Sequence, residues 1–221
     1  MRVYLAGQGR FAVYVAEAIT DDGHEVVGVS SPATRRGMDD RDALGWDRLR
    51  AWAYPRHIPW TDAGYLRAAM VPDGTDVIVA AHSHAFIGRE SRARARWAVG
   101  YHPSLLPLHR GRDAIRWTIR DRDRVTGGTV YHLTDRVDGG PVAAQDWCLV
   151  PPGCTPDELW RDALAPMGVR LLRAVLADLA AGHVRWLVQD EACATWEPAM
   201  DAAPLFKPEL PELPRGGDDH G

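Results

Sequence analysis

Cysteine is scarce and unpatterned in this chain. Cys148, Cys154 and Cys193 form an odd set with no CxxC spacing, so neither a disulfide framework nor a cysteine zinc site is expected. A basic excess is missing too. The 26 Lys and Arg stand against 30 Asp and Glu, for a formal net charge of -4 and a pI near 6.1, which argues against a generic nucleic-acid binder. No apolar run approaches the length of a membrane span, and Met1–Ala6 is too short for the core of a signal peptide. A cytoplasmic protein without a membrane partner is expected. No internal repeat is visible. What remains, 221 residues of which 46% are hydrophobic, suffices for one sizeable α/β core. We place that domain at residues 1–200, and the Pro, Gly and acidic content beyond it reads as a disordered tail at 201–221.

The opening is a β-α-β unit. Arg2–Ala6 reads as a buried strand, a helix follows through Val15, Ala18 and Ile19, and His24–Ser30 supplies the next strand. The turn between them, Gly7-Gln8-Gly9-Arg10-Phe11-Ala12, fits a dinucleotide fingerprint, although no acidic residue ends the second strand. An NADP reading would need Arg35 and Arg36 to meet a 2′-phosphate; the plainer reading is that the glycines allow a tight turn and the arginines are solvated. Further helices are expected at Asp40–Ala53, Tyr65–Met70, Gly88–Trp97, Ala114–Arg120 with Asp113 as N-cap, and in one long run from Thr155 to Gly182. Asp76–Ala81 and Ala143–Val150 read as strands.

The organising stretch is Gly100-Tyr101-His102-Pro103-Ser104-Leu105-Leu106-Pro107. Ala98–Tyr101 reads as a buried strand, and the two prolines hold a loop directly after it. His102 is thereby placed at the carboxyl end of a strand, the edge at which open α/β sheets bind ligands. Thr129–Leu133 is again β-rich, and Asp138 follows in a turn, Val137-Asp138-Gly139-Gly140-Pro141, whose glycines let backbone approach a ligand. Asp76–Ala81 delivers a third segment, His82-Ser83-His84-Ala85-Phe86-Ile87, to the same edge. If that strand continues, His82 and His84 share a face. They then line a polar loop, or supply a hydrogen-bond donor, or join His102 and Asp138 in a metal site. We assign no metal.

His102-Pro103-Ser104-Leu105-Leu106-Pro107 followed by Asp138-Gly139-Gly140-Pro141 resembles the signature of the folate-dependent formyltransferases. That group contains methionyl-tRNA formyltransferase, glycinamide ribonucleotide formyltransferase and the sugar N-formyltransferases. Leu5-Ala6-Gly7-x-x-x-Phe11-Ala12, Arg110-Gly111 and the segment Gln189–Trp196 are similar to the same family, so the resemblance spans roughly residues 1 to 200. It implies a Rossmann-like α/β fold with a mostly parallel central sheet flanked by helices. It also implies transfer of a formyl group from 10-formyltetrahydrofolate to an amine, with His102 assisting charge and proton movement and Asp138 orienting it. By the same resemblance Ser83, His84, Ala85, Phe86 and Ile87 with Leu133, Thr134, Asp135 and Val137 hold the folate. Gly7, Gly9, His82, Arg110 and Arg112 are then candidates for the acceptor.

The sequence departs from the family at one position. Two residues before the histidine the family has an Asn, which donates to the developing oxyanion, and this chain has Gly100. Losing one such donor costs on the order of 100- to 1000-fold in rate. Hence three alternatives stand beside formyl transfer to a small-molecule amine: a formyltetrahydrofolate hydrolase, a non-catalytic folate-binding protein, and an NADP-linked reductase. No tRNA partner is expected, since no room is left for the extra C-terminal barrel of the tRNA enzyme, and a homodimer stays open.

Overall fold

The computed structural model describes residues 1–32, 47–83 and 85–200. The expected tail at 201–221, Arg35, Arg36, His84 and the first part of the helix expected at Asp40–Ala53 lie outside the described residues.

Seven strands form one sheet: β1 Arg2–Gly7, β2 Glu25–Ser31, β3 Trp60–Asp62, β4 Thr75–Ala81, β5 Ala95–His102, β6 Val125–His132 and β7 Val142–Leu149. Their order across the sheet is β3-β2-β1-β4-β5-β6-β7. The five strands from β3 to β5 are mutually parallel, whereas β6 and β7 run antiparallel to their neighbours. This is a Rossmann-like α/β sheet. The near-continuous apolar runs of β1 and β4 are what a strand covered on two faces requires, and Val3, Leu5, Val77, Ile78 and Val79 have no exposed surface.

The helices are α1 Gly9–Asp21, α2 Arg48–Ala53, α3 Arg89–Arg92, α4 Ala114–Arg120, α5 Pro156–Leu159 and α6 Ala165–Ala180. On one face of the sheet, Phe11, Ala12, Val15 and Ile19 of α1 and Leu171, Leu172, Val175 and Leu176 of α6 build the main core. A smaller cluster of Tyr4, Ala6, Leu66, Val71, Ile78 and Ile87 forms on the other face. No helix among the described residues is long and apolar enough to cross a membrane.

Three expectations are corrected. Tyr65–Met70 is not a helix; only one 3-10 turn forms, at Ala68–Met70, because Leu66 is fully buried and bridges to Ile87. The helix expected at Gly88–Trp97 stops at Arg92, since Ala95 and Trp97 pair with Thr75 and Val77 and lengthen β5 at its start; ladder hydrogen bonds override the local pattern here. The long helix from Thr155 begins with a capping box between Thr155 and Glu158 but is interrupted by a π turn at Trp160–Leu164. Pro166 is the physical reason, as it has no N–H to give and its ring displaces the carbonyl four residues back, that of Asp162.

Candidate active site

His102 ends β5, and its side chain is buried, at 8% exposure. Its Nε2 lies 2.7 Å from the backbone carbonyl of His109. A carbonyl only accepts, so Nε2 carries a proton and donates. The other nitrogen, Nδ1, faces Oδ2 of Asp138 at 3.6 Å.

Asp138 reaches that place by a turn with little freedom. Its own φ is 50°, a left-handed conformation that Asp tolerates better than most residues. Gly140 packs so closely that a Cβ there would sit 1.7 Å from the carbonyl oxygen of His132. Oδ2 of Asp138 accepts from the backbone N–H of Gly111 at 2.9 Å, and Oδ1 accepts from the hydroxyl of Tyr131 at 2.7 Å. Gly111 presents its N–H from a φ of 109°, a conformation for which glycine is suited. From behind, Nε2 of Gln189 donates to the backbone carbonyls of Asp138 at 2.8 Å and Gly140 at 2.6 Å.

Tyr131 is placed by register. It pairs with Gly100 across the antiparallel β5–β6 ladder, so the two occupy one face of the sheet, and the period of two puts His102 on that face as well. A Cβ at position 100 would lie 2.9 Å from Cδ2 of Leu133 and 3.4 Å from the Tyr131 ring. Burial, then the charge of Asp138, pushes the Tyr131 hydroxyl well above its ordinary pKa. It therefore remains a donor.

Two cavities meet at this carboxylate. The larger, about 450 Å³, is lined among others by His82, Gly100, His102, Arg112, Asp157 and Trp160. The smaller, about 180 Å³, is walled by Ala85, Phe86, Ile87, Leu133, Thr134 and Arg136. Ala80, Ser83, Tyr131, Val137 and Asp138 line both. Beside the larger cavity Trp160 packs its ring 5.0 Å from Phe11 and 5.6 Å from His82.

The sequence match to the formyl transferase family covers residues 63–175, the stretch that contains His102, Gly111, Tyr131 and Asp138. The chain belongs to this family. A formyl transferase fold also follows from comparison of structures: a sugar 3N-formyl transferase solved in the presence of dTDP and 5-N-formyl-THF superposes with a TM-score of 0.73 at 15% identity, over 94% of this chain and 73% of that one. Among curated relatives, mouse mitochondrial 10-formyltetrahydrofolate dehydrogenase is 30% identical over 89% of this chain and 22% of its own length. Methionyl-tRNA formyltransferase of Chloroflexus aurantiacus is 31% identical over 88% of the chain and 64% of its own length. The chain thus spans about a fifth of the dehydrogenase, at 22%, and less than two thirds of the tRNA enzyme, at 64%.

In this chain the residues expected around the site are distributed unevenly. Ser83, Ala85, Phe86, Ile87, Leu133, Thr134 and Val137 surround the smaller cavity, while His82 and Arg112 line the larger. Asp135 is absent from both walls; it pairs with Arg89 and Arg92, which hold its carboxyl below the usual range. Arg110 is buried, with its guanidinium on Glu191 and Gln189, so it braces the loop instead of facing a ligand. Gly7 packs against the carbonyl of Ala81, and Gly9 supports the turn into α1 at a φ of 68°; neither lines these cavities. The strand carrying His82 ends at Ala81 and His82 has a φ of 58°, so the period-two argument for His82 and His84 fails at its first step. Asp113 sits at the N-cap of α4 without a capping bond, its carboxylate accepting from the N–H of Met200.

Tyr131, Gln189 and Trp160 carry parts of the site that sequence reasoning passed over. Pairing of Thr129–Leu133 with the strand of His102 would have pointed to Tyr131. Gln189 opens the segment that resembles the family, but its bracing role is not legible there, because its partners Asp138 and Gly140 lie far along the chain.

Proposed function

We propose that this member of the formyl transferase family moves the formyl group of 10-formyltetrahydrofolate to the amine of a small molecule. The observation that supports this most directly is the facing of His102 Nδ1 and Asp138 Oδ2, 3.6 Å apart, where the smaller cavity meets the larger one. The smaller, a slot with the rings and methyls of Phe86, Ile87, Leu133 and Val137, suits a flat heteroaromatic ring such as the pterin. The folate supplies an activated formyl carbon whose leaving nitrogen takes up the proton that the amine gives up. The acceptor enters the larger cavity, where Asp113 and Asp157 attract its ammonium form and Trp160 supplies an apolar wall, and it gives its extra proton to His102 Nδ1 or to solvent before the free amine attacks.

Because Nε2 of His102 is committed to the His109 carbonyl, Nδ1 is the atom through which this residue handles a proton. Asp138, fixed by Tyr131 and Gly111, supports the positive charge that develops there. With glycine at position 100, His82 or Arg112, which line the same cavity, stand in for the donor that the family takes from Asn.

Incubation with 10-formyltetrahydrofolate and a panel of amines, following formylated product, tests the reading. His102→Ala and Asp138→Asn are each expected to lose at least about 100-fold in rate while still binding 5-formyltetrahydrofolate. An unchanged rate in both variants sinks it.

A second reading, hydrolysis of the same folate, is favoured by the curated relatives named 10-formyltetrahydrofolate dehydrogenase. It differs in one measurable respect: formate would be released at full rate with no amine present.

A further inference from the structure

Outside the two cavities, the loop after β5 and the end of α4 bring together a second group of ionisable side chains. His109 is 8% exposed and has its ring between two carboxylates. Its Nε2 lies 2.7 Å from Oδ2 of Asp123, and its Nδ1 lies 3.2 Å from Oε1 of Glu197. The first contact is a well-formed hydrogen bond. The second is not: Nδ1 of His109 and Oε2 of Glu197 are both buried without a hydrogen-bond partner. Asp121 adds a third carboxylate, and one ligand atom from each of His109, Asp121 and Glu197 lies within 4.8 Å of the others.

Elementary chemistry asks what stands between these atoms. If Asp123 accepts the Nε2 proton, Nδ1 turns a lone pair toward Glu197, which also offers only lone pairs. Two acceptors opposed in a buried place repel unless something positive lies between them. Asp121 makes that need larger. A carboxylate that takes the proton of one ring nitrogen and so frees the other is the arrangement found behind histidine ligands of metal ions. One imidazole with two carboxylates suits a borderline divalent ion, with waters filling the remaining positions.

We propose that His109, Asp121 and Glu197 form a binding site for a divalent transition-metal ion of the zinc type, with Asp123 orienting the imidazole. The site would be structural with respect to the reaction. Its members lie outside the walls of both cavities, but the backbone carbonyl of His109 is the acceptor for Nε2 of His102. An ion held by the His109 ring therefore braces the loop that sets the tautomer of His102. It also ties this loop to the segment carrying Glu197, which already runs beside Arg110.

Tag-free full-length protein, its three thiols alkylated to remove cysteine ligation, would be titrated with Zn²⁺ by calorimetry and assayed for bound metal after gel filtration. One equivalent is expected, with affinity falling at least about 10-fold in Asp121→Asn and in Glu197→Gln. Asp121 is exposed, so its variant tests the site without disturbing packing. Nitrogen-15 spectra of the histidine rings give an independent readout: Zn²⁺ should shift His109 Nδ1 and leave Nε2 protonated. Three results overturn the proposal: no Zn²⁺ retained, equal retention by both variants, or both nitrogens of His109 protonated with excess Zn²⁺ present. The last would make the ring an imidazolium clamped by Asp123 and Glu197.

Discussion

The hydroxyl of Tyr131 donates to Oδ1 of Asp138 at 2.7 Å, leaving Oδ2 to face His102. The carboxylate is therefore aimed by a residue of the neighbouring strand. Replacing Tyr131 by Phe keeps the ring that packs against Gly100 and removes only the donor. A hydrogen bond to a charged group is worth about 1.5–3 kcal/mol, so kcat for formyl transfer should fall on the order of 10-fold or more. Folate affinity, measured by fluorescence titration, should change little, because the ring still lines the slot.

Gly100→Asn is the complementary test. The new Cβ would stand 2.9 Å from Leu133 Cδ2 and 3.4 Å from the Tyr131 ring, so Leu133 must move into the smaller cavity it lines. Overpacking costs about 1–3 kcal/mol in a well-packed core, and the low end applies here because Leu133 Cδ2 is the tip of a flexible side chain beside a cavity. We expect a lower urea midpoint and weaker folate binding, both largely restored by adding Leu133→Ala. If Gly100→Asn raises the transfer rate with no loss of stability, the glycine is merely a weakened donor position.

Gln189 joins two networks. Its Nε2 donates to the carbonyls of Asp138 and Gly140, and its Oε1 accepts from Arg110, which also grips Glu191. Gln189→Leu leaves these buried groups unpaired, at roughly 1–3 kcal/mol for each group not rescued by water. Unfolding by urea should show that loss, and kcat should drop because the turn carrying Asp138 loses its support. Arg110→Lys should behave similarly, since a lysine cannot make the forked contact with Glu191.

Acid sensitivity has a traceable source. Burial, partly offset by the bond from Nε2 to the Arg185 carbonyl, lowers the pKa of His132, and burial followed by the charged N-terminus lowers that of His24. For such groups the unfolded chain binds the proton first as pH falls. Stability is thus full above the ordinary value of 6.5 and declines as pH drops through it, levelling off below the folded-state pKa. The urea midpoint should fall between pH 7.5 and 5.5, and fall less in His132→Gln, which keeps a donor for Arg185.

Much of this molecule is written in short-range pattern. The apolar runs of β1, β4 and β5 could be covered only inside a sheet, and Pro103 could only end β5 at its edge, so His102 at a ligand-binding rim follows from neighbours in the chain. Asp138 before Gly139-Gly140-Pro141 is local in the same sense, as the turn is encoded by the residues that make it. Tertiary structure decided everything that depends on which distant backbone lies alongside. Antiparallel pairing of β6 with β5 set Tyr131 beside Gly100; ladder pairing took Ala95 and Trp97 from a helix; and Glu191 with Gln189 drew Arg110 away from any ligand. His109 and Glu197 meet for the same reason. The strength of such contacts falls off within a few ångströms, so they are fixed by folding geometry, to which separation along the chain is no guide.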